Sequence, residues 1–362
     1  MKIFGCMAMG VLAMSVAAGA QQTAPAAPAH KWALVVHGGA GVIDRSKLTP
    51  EADKAYRAGL QQAAEAGSKV LDAGGTALDA VEATLHVFED NPLFNAGRGA
   101  VFSAEGKNEM DSSIMDGATL KAGAVAGVQT TRHPISLARA VMDKSPHVML
   151  AGPGTDRFAQ QIGLEQQPPS FFFTESRWQG LVKQLQEEGH PVPPRPAGVP
   201  PQGATVPVAQ LHQIEESDRM HVWGTTGAVA LDRAGNIAAG TSTGGMQGKM
   251  PGRVGDSPII GAGTYASNQS CAVSGTGTGE YYIRLGLARE VCNLVYFRHM
   301  KLQAAADEVM QKELTPMGGD GGVIAIDPAG DMVWSLNTPG MFRARIHEGG
   351  KLEVHIYADE EK

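Results

Sequence analysis

The fold is decided by residues 222–232, which read VWGTTGAVALD. Small and apolar residues from Thr225 onwards predict a strand, and the sequence DRAGN at 232–236 predicts a turn into a returning strand over 237–242. The antiparallel hairpin formed in this way begins with a threonine that comes directly after Gly224.

A threonine at this place can carry chemistry as well as packing. If the bond between Gly224 and Thr225 is cut, Thr225 gains a free α-amine. Such an amine has a pKa of about 7.7–8.0 and can take the proton of the Thr225 hydroxyl. Such a nucleophile needs no histidine as its base. Small residues at strand starts also serve simple packing, so this stretch alone leaves both interpretations open.

Further from the hairpin, helices and strands are predicted in separate blocks. Helices are predicted over residues 50–73 and 76–88 and from about 280 to 312, and a second strand–turn–strand unit is predicted over 323–336. Residues 165–220 are rich in proline, lack periodicity and are predicted to be a linker or mobile loop. This order favours a layered α+β fold with antiparallel sheets.

The composition excludes two broad classes of protein. The chain has 362 residues, of which 43% are hydrophobic and 19% are charged, so it is not intrinsically disordered. Its formal net charge of -7 provides no basic excess for binding phosphates, which argues against a nucleic-acid partner.

Residues 1–20 have the pattern of a secretory signal peptide. Lys2 provides a short basic region, residues 3–17 are apolar, and residues 18–20 read AGA, an A-x-A cleavage site. The apolar run is short for a membrane span, although a retained anchor is the alternative. The pattern predicts secretion, with the periplasm as the expected compartment and no membrane association after cleavage.

Removal of residues 1–20 would leave two thiols, Cys271 and Cys292. They could pair in an oxidising compartment, but the sequence does not show whether their geometry allows a disulfide. Neither lies beside a histidine, so both are interpreted as buried structural residues rather than nucleophiles. The sequence also has no HExxH or CxxC pattern, which argues against a zinc site.

Six glycine-rich motifs accompany the hairpin in a fixed order. Together with it they resemble the plant-type L-asparaginase/isoaspartyl peptidase family, whose members are threonine-type N-terminal-nucleophile hydrolases. The resemblance extends from about residue 32 to the C-terminus and implies a four-layer αββα sandwich. The motifs are HGGAG at 37–41, NAGRG at 95–99, MDG at 115–117, TSTGGM at 241–246, PGRVGDSP at 251–258 and SGTGTGE at 274–280.

The resemblance implies a precursor that cuts itself between Gly224 and Thr225. Residues 21–224 would become an α subunit and residues 225–362 a β subunit, which together form one folded domain and assemble as an (αβ)2 dimer. The implied substrates are small molecules, namely β-aspartyl (isoaspartyl) dipeptides and L-asparagine. No cofactor takes part in the implied chemistry.

The resemblance also implies a role for individual residues. Thr225 would be the nucleophile and its amine the base, with Thr243 hydrogen-bonded around both. Arg253 would bind the substrate α-carboxylate through its planar fork, and Asp256 the α-ammonium. The remaining implied residues are Thr276 and Gly277 for the oxyanion hole, Gly279 for substrate binding and Asn95 as a brace near the catalytic threonine.

A sodium-binding loop over residues 88–99 is a further implication of the resemblance. Its ligands in the family are mostly main-chain carbonyls, which suit a hard cation. Because such ligands leave little side-chain signature, a loop that binds no ion is the alternative. The matching positions are Phe88, Glu89, Asn91, Phe94, Ala96 and Arg98.

Several alternatives stay open at this point. Arg253 and Asp256 could form a plain ion pair, and Thr276 could be an ordinary strand hydroxyl. Thr226 and Gly275 depart from the family, in which Val and Cys or Ser are common at these positions. The rival functions are glycosylasparaginase and an uncut, non-catalytic protein that binds aspartyl ligands.

Overall fold

The computed structural model describes residues 31–46, 48–199 and 222–360, together with Met1. Apart from Met1, the predicted signal peptide lies outside the described residues, as does the end of the predicted linker at 200–220. None of the described helices combines the length and the apolar character needed to cross a bilayer.

The strands form two sheets. The strands are β1 (Ala33–Gly41), β2 (Met110–Asp116), β3 (Ala122–Val128), β4 (Met149–Ala151), β5 (Val222–Trp223), β6 (Thr226–Leu231), β7 (Ile237–Thr243), β8 (Thr264–Ala266), β9 (Ala272–Gly277), β10 (Gly321–Ile326), β11 (Met332–Leu336), β12 (Gly340–His347) and β13 (Glu353–Tyr357). In the larger sheet the order is β13-β12-β1-β6-β7-β2-β3-β4, with β5 paired to β1, and in the smaller it is β11-β10-β9-β8. Among the described pairs only β3 and β4 run parallel.

The predicted hairpin is present as β6 and β7 in the middle of the larger sheet. Thr226 pairs with Ser242, and the register continues to the turn without a bulge. The carboxylate of Asp232 closes the turn, since its Oδ1 accepts from the N–H of Asn236 over 3.0 Å. Its Oδ2 accepts from the N–H of Ala77 over 3.0 Å, which ties the hairpin to the start of a helix.

Helices cover the outer face of each sheet. The described α-helices are α1 (Pro50–Asp72), α2 (Ala77–Asp90), α3 (Pro134–Lys144), α4 (Pro153–Gln161), α5 (Pro169–Phe172), α6 (Glu175–Glu187), α7 (Gly279–Leu285), α8 (Leu287–Arg298) and α9 (Leu302–Asp307). Leu60 of α1 and Leu85 of α2 are buried against the larger sheet, and Val291 of α8 and Ala305 of α9 are buried against the smaller.

The inner faces of the two sheets pack directly on each other. Val35 and Val229 of the larger sheet are buried in one apolar cluster with Ile324 and Trp334 of the smaller sheet. The layer order is therefore helix, sheet, sheet, helix, which confirms the predicted αββα sandwich.

The single helix predicted from about 280 to 312 is wrong in its continuity. Gly286 and His299 both adopt left-handed backbone conformations, with φ of 60° and 52°. A left-handed residue after the last helical turn ends an α-helix, so the segment is divided into α7, α8 and α9.

Cys271 and Cys292 form a disulfide, with their Cα atoms 5.3 Å apart. The bond joins the residue before β9 to the middle of α8, and both side chains are buried. The pairing that the sequence left open is thus present, and it connects the smaller sheet to its covering helices.

The predicted linker is wrong for its first part, because α5 and α6 lie within it. Trp178, Leu181 and Leu185 of α6 are buried in a cluster with Phe102, whose ring meets that of Trp178 edge-on at 5.4 Å. These three residues follow the helical spacing of three and four, but the proline-rich sequence on both sides concealed the pattern.

Candidate active site

Thr225 lies at the junction of β5 and β6, and only 8% of its surface is exposed. Gly224, directly before it, passes very close to Asn95: a Cβ built on this glycine would lie 2.4 Å from Asn95 Cβ. A side chain at residue 224 would therefore collide with a buried neighbour. The bond predicted to be cut is held between two strands at a place where glycine fits.

The hydroxyl of Thr225 contacts the hydroxyl of Thr243. Thr225 Oγ1 donates to Thr243 Oγ1 over 3.1 Å, and the N–H of Gly245 donates to the same Thr243 oxygen over 2.9 Å. The hairpin register explains the contact, because Thr226 pairs with Ser242 and the next residues outward are the two threonines. The structure thus brings the predicted nucleophile to its predicted partner.

Asn95 holds the turn that follows Thr243. Its Nδ2 donates to the carbonyl of Gly245 over 2.7 Å, and its Oδ1 accepts from the N–H of Val101 over 2.9 Å. Its own carbonyl accepts from the N–H of Gly244 over 3.0 Å. The buried Asn95 side chain therefore lies near the predicted catalytic threonine, where a brace is expected, and it holds the residues that follow Thr243.

A buried carboxylate that sequence reasoning missed lies behind the hairpin. Glu89 Oε1 accepts from Ser242 Oγ over 2.6 Å and from the N–H of Ile135 over 3.0 Å, and Oε2 lies 3.2 Å from His133 Nδ1. Burial works to lower the pKa of His133, but the hydrogen bond and charge of Glu89 raise it above its usual value. The sequence predicts a role only for the carbonyl of Glu89, and no local signal links its carboxylate to Ser242 or Ile135, which are 153 and 46 residues away.

Arg253 pairs with Glu280 and not with Asp256. Its Nε and Nη2 donate to the two carboxylate oxygens of Glu280 over 2.9 and 3.0 Å. The hydrogen bond from Arg253 holds the pKa of Glu280 below its usual value. Gly279 lies between the predicted substrate-binding residues, since a Cβ there would be 2.6 Å from Asp256 Oδ1 and 3.2 Å from Arg253 Nη2. Glu280 belongs to a quoted motif, but its role as the partner of Arg253 was not predicted.

Asp256 is a buried carboxylate with an incomplete set of hydrogen bonds. It is 4% exposed, and its Oδ2 has no hydrogen-bond partner among the described residues. Burial raises the pKa of Asp256 to about 7, although the nearby Arg253 charge opposes the shift. A cationic donor placed beside Oδ2 would complete this site and favour the ionised carboxylate.

Thr276 and Gly277 end strand β9 beside the hairpin. Thr276 is buried, and a Cβ at Gly277 would lie 2.2 Å from the carbonyl oxygen of Asp320, so glycine is required there. Strand β9 approaches β6 closely: a Cβ at Gly227 would lie 2.0 Å from Ser274 Oγ. The predicted oxyanion residues and the predicted nucleophile are therefore on facing strands.

Strand β9 also contacts the loop of Asp256. The N–H of Gly275 donates to the carbonyl of Gly263 over 2.9 Å, and the N–H of Gly263 donates to the carbonyl of Asp256 over 3.2 Å. These hydrogen bonds thus connect β9, which lies beside the strand of the predicted nucleophile, to the loop that carries Asp256.

In the predicted sodium loop two glycines pass close to two of the predicted ligand carbonyls. A Cβ at Gly97 would lie 2.2 Å from the carbonyl oxygen of Glu89, and one at Gly99 would lie 2.0 Å from that of Phe94. No cluster of His, Cys, Asp or Glu suited to a metal occurs within the described part of the chain, so a cation here would depend on main-chain oxygens. Four predicted ligand carbonyls accept one backbone N–H each and keep a second lone pair, namely those of Phe88, Asn91, Phe94 and Ala96.

Comparison with known proteins identifies the family. The Asparaginase family matches residues 30–356. The chain belongs to this family. It is 44% identical over 329 residues to the isoaspartyl peptidase of Escherichia coli (strain K12). The aligned region covers 91% of this chain and 97% of that protein.

Proteins of two further organisms are similar to this Asparaginase-family chain. The putative isoaspartyl peptidase/L-asparaginase of Dictyostelium discoideum is 42% identical, over 87% of this chain and 93% of that protein. The plant-type L-asparaginase of Pyrococcus abyssi is 40% identical, over 88% of this chain and 97% of that protein. These matches confirm the family resemblance and, with the sandwich, the N-terminal-nucleophile hydrolase fold.

The two departures from the usual Asparaginase-family residues are both accommodated by neighbours. Thr226 is buried, and its Oγ1 donates to the carbonyl of Ser242 over 3.1 Å. The ring of Tyr282 occupies the space beside Gly275, where a Cβ would lie 2.8 Å from the ring, and its hydroxyl donates to the carbonyl of Thr276 over 3.0 Å. The hydroxyl that Thr226 introduces is therefore hydrogen-bonded. Gly275 leaves room for the Tyr282 ring, whose hydroxyl in turn supports β9.

Proposed function

We propose that this Asparaginase-family chain hydrolyses the amide bond on the β-carboxyl of aspartate, in isoaspartyl dipeptides and in L-asparagine. The observation that carries the proposal is the 3.1 Å hydrogen bond between the hydroxyls of Thr225 and Thr243, at a strand start that follows Gly224. The names of the relatives, isoaspartyl peptidase and L-asparaginase, support this substrate class.

Maturation starts at the peptide bond between Gly224 and Thr225. Thr225 Oγ1 attacks the carbonyl carbon of Gly224, and the C–N bond breaks as the nitrogen takes up the hydroxyl proton, which leaves an ester on the Thr225 side chain. Water then hydrolyses the ester and releases the carboxylate of Gly224. The products are an α subunit of residues 21–224 and a β subunit of residues 225–362 with a free N-terminal amine.

In the mature enzyme the α-amine of Thr225 takes the Oγ1 proton while Oγ1 attacks the β-carbonyl carbon of the substrate. The Thr276 hydroxyl and the N–H of Gly277 stabilise the oxyanion, and loss of one such donor typically costs about 2.7–4 kcal/mol. The leaving amine departs with the proton, as ammonia from asparagine or as an amino acid from a dipeptide. Water then hydrolyses the threonyl ester and releases aspartate.

Arg253 and Asp256 select the aspartyl end of the substrate. Glu280 engages Nε and Nη2 of Arg253, and Nη1 has no hydrogen bond to any described residue, so this edge of the guanidinium receives the α-carboxylate. Oδ2 of Asp256, which has no hydrogen-bond partner among the described residues, accepts from the α-ammonium. The positive charge of the substrate then favours ionised Asp256, which burial alone disfavours.

We also propose secretion to the periplasm and assembly as an (αβ)2 dimer. The signal-peptide pattern of residues 1–20 supports secretion. The disulfide between Cys271 and Cys292 supports it independently, because disulfides persist mainly in oxidising compartments. A structural sodium ion on the carbonyls of residues 88–99 is proposed as well, supported by the close approach that Gly97 and Gly99 allow.

Intact mass and N-terminal sequencing of the purified protein test the proposal. The wild type should contain two subunits, the smaller of which begins Thr-Thr-Gly-Ala-Val. Thr225→Ala should remain one inactive chain, whereas the matched variant Thr225→Ser keeps a hydroxyl and should be cut. A single full-length wild-type chain, or an active Thr225→Ala, would overturn the proposal and would favour a non-catalytic binding protein.

Substrate comparison distinguishes the two enzymatic functions. We expect turnover of β-aspartyl-leucine and L-asparagine, and little turnover of N4-(β-N-acetylglucosaminyl)-L-asparagine. Activity on the glycosylated substrate alone would show that the chain is a glycosylasparaginase.

A further inference from the structure

A cavity of about 490 Å³ lies beside Arg253, and the proposed mechanism does not use it. Two buried charged residues that have no role so far, Asp111 and Lys249, are part of its lining. Cavities of about 300–1,000 Å³ bind small molecules, so ammonia leaving L-asparagine would occupy little of this one, whereas an amino-acid residue fits it. Small residues of β3, β4 and the loop after β4 leave this space open, namely Ala126, Gly127, Ala151 and Gly152.

Asp111 and Lys249 both lie close to the catalytic hydroxyls. Asp111 of β2 pairs with Thr243 of β7, so the two side chains are on the same face of the larger sheet. Lys249 approaches the turn after β7, where a Cβ on Gly245 would lie 2.9 Å from Lys249 Nζ. The N–H of Gly245 in turn donates to Thr243 Oγ1, the partner of the Thr225 hydroxyl. The cavity therefore extends from the catalytic pair to the residue that selects the substrate α-carboxylate.

Lys249 is a buried ammonium with free donors. Only 4% of its surface is exposed, and its Nζ makes one hydrogen bond to the described residues, with the carbonyl of Glu109 over 2.6 Å. An ammonium has three N–H donors, so two remain for a ligand. Burial lowers the pKa of Lys249, and the negative charge of Asp111 opposes this shift. An anion bound in the cavity would accept from the free donors and favour the charged form.

Asp111 is the complementary acceptor. Its Oδ1 accepts from the N–H of Gly127 over 2.9 Å, and its Oδ2 is buried without a hydrogen-bond partner among the described residues. Burial raises the pKa of Asp111, and the charge of Lys249 opposes the shift. Neither oxygen is hydrogen-bonded to Lys249 in the described part of the chain, so both side chains keep bonding capacity for a ligand.

We propose that this cavity binds the leaving residue of isoaspartyl dipeptides, with Lys249 on its free α-carboxylate and Asp111 on its N–H. The inference rests on the proposed function and names the preferred substrate class. In β-aspartyl-leucine the scissile nitrogen and the free carboxylate are attached to the same carbon, so neighbouring acidic and basic side chains can engage both. L-Asparagine has no second carboxylate and gains nothing from Lys249. The site therefore favours dipeptides over asparagine.

A pair of substrates tests this in the wild type. β-Aspartyl-leucine and β-aspartyl-leucine amide differ in the carboxylate that Lys249 would bind and share the same scissile bond. The kcat/KM for the free acid should exceed that for the amide by about 10–150-fold, the factor expected for one charge-assisted hydrogen bond. Equal kcat/KM values for the two would overturn the inference, and this comparison needs no variant to fold.

Lys249→Met removes the ammonium and keeps an unbranched apolar side chain. It should lower kcat/KM for β-aspartyl-leucine about 10–150-fold more than for L-asparagine, and it should abolish the preference for the acid over the amide. Lys312→Met is the matched control, because this side chain is 70% exposed and pairs with Glu308 outside the cavity, and it should keep the preference. Equal losses on all three substrates in Lys249→Met would show a merely structural role and would overturn the inference.

Asp111→Asn tests the other half of the site. The variant keeps an acceptor for the N–H of Gly127 but puts an amide donor or a neutral oxygen where the leaving N–H is accepted. It should lower kcat/KM severalfold for the acid and the amide alike, since both carry this N–H. A wild-type kcat/KM for both would overturn the role of Asp111.

The outcomes distinguish this inference from the proposed function. A wild type that is uncut and inactive on every substrate overturns the proposed function and this inference with it. A cut wild type that hydrolyses β-aspartyl-leucine but does not distinguish it from its amide overturns the leaving-residue site alone.

Discussion

Replacement of Asp256 by asparagine should change how steeply catalysis depends on pH. In the proposed mechanism the substrate ammonium requires an ionised Asp256, but burial raises the pKa of this carboxyl to about 7 in the free protein. The proposed mechanism also requires a neutral Thr225 amine as the base. Two groups must therefore lose a proton in the wild type before substrate can bind and react, and only one of them in Asp256→Asn.

The magnitude follows from the two pKa values. Between pH 8 and pH 6 the ionised fraction of a carboxyl with a pKa of about 7 falls roughly tenfold, and the neutral fraction of an α-amine with a pKa of about 7.8 falls roughly fortyfold. The wild-type kcat/KM should thus fall about 400-fold, and that of Asp256→Asn about 40-fold. At pH 8 the variant should already be about 10–150-fold less efficient, the factor expected for one charge-assisted hydrogen bond.

Release of leucine from β-aspartyl-leucine, measured from pH 5.5 to pH 9, provides the assay. The profile of kcat should be alike in both proteins, because bound substrate keeps Asp256 ionised and leaves the amine as the titrating group. Equal steepness of kcat/KM in wild type and Asp256→Asn would refute the role assigned to this carboxylate.

The same replacement has a stability signature of known sign. A carboxyl whose pKa is raised on folding stabilises the folded state at low pH, and this contribution is lost as the pH rises to the folded value. The free energy of unfolding of Asp256→Asn relative to wild type should therefore grow by about 1.4 kcal/mol for each pH unit between about 4 and 7. A difference that does not depend on pH would contradict the raised pKa of Asp256.

Four further predictions concern residues around the site. Arg253→Ala should raise KM sharply and leave self-cleavage intact by mass, and an uncut variant would mean that Arg253 supports processing instead. Replacement of both Cys271 and Cys292 by alanine removes a disulfide between residues 21 apart in sequence and should lower the free energy of unfolding, measured in urea, by about 3 kcal/mol. A variant as stable as the wild type would contradict this. Glu89→Ala leaves buried donors such as Ser242 Oγ without an acceptor, which costs about 1–3 kcal/mol of folding free energy for each. The variant should therefore be less stable and be cut more slowly, and a wild-type melting curve and cleavage rate would contradict this. Exchange of sodium chloride for choline chloride at equal ionic strength should lower the melting temperature, and an unchanged value would count against the sodium loop.

The main sheets could be predicted because their signals are local. The turn of the central hairpin depends on Asp232, whose carboxylate accepts from N–H groups two and four residues later. Helix α6 was missed because its apolar residues Trp178 and Leu181 lie in a proline-rich region, and burial against Phe102 outweighs the composition of the flanks. Interruptions such as His299 in a left-handed conformation have no clear signature in the sequence.

The site could be predicted as a set of residues but not as a set of contacts. Arg253 was predicted to bind a carboxylate, and in the structure Glu280 already engages two of its nitrogens. A plain pair of Asp256 and Arg253 is one expectation from the sequence, yet one oxygen of the carboxylate has no hydrogen-bond partner among the described residues. Which partner an ion takes depends on the approach of separate loops, here across Gly279, and not on spacing along the chain.

The sequence by itself determined that Thr225 follows a glycine and opens a strand of a hairpin, since turn chemistry and alternation act over a few neighbouring residues. Only the tertiary structure decided which polar groups meet within the sandwich. Glu89 and Ser242 are 153 residues apart and His37 and Ser274 are 237 residues apart, yet each pair is joined by a hydrogen bond. The physical reason is burial: away from water an unpaired polar group is costly, so the packed layers join groups that the chain keeps distant.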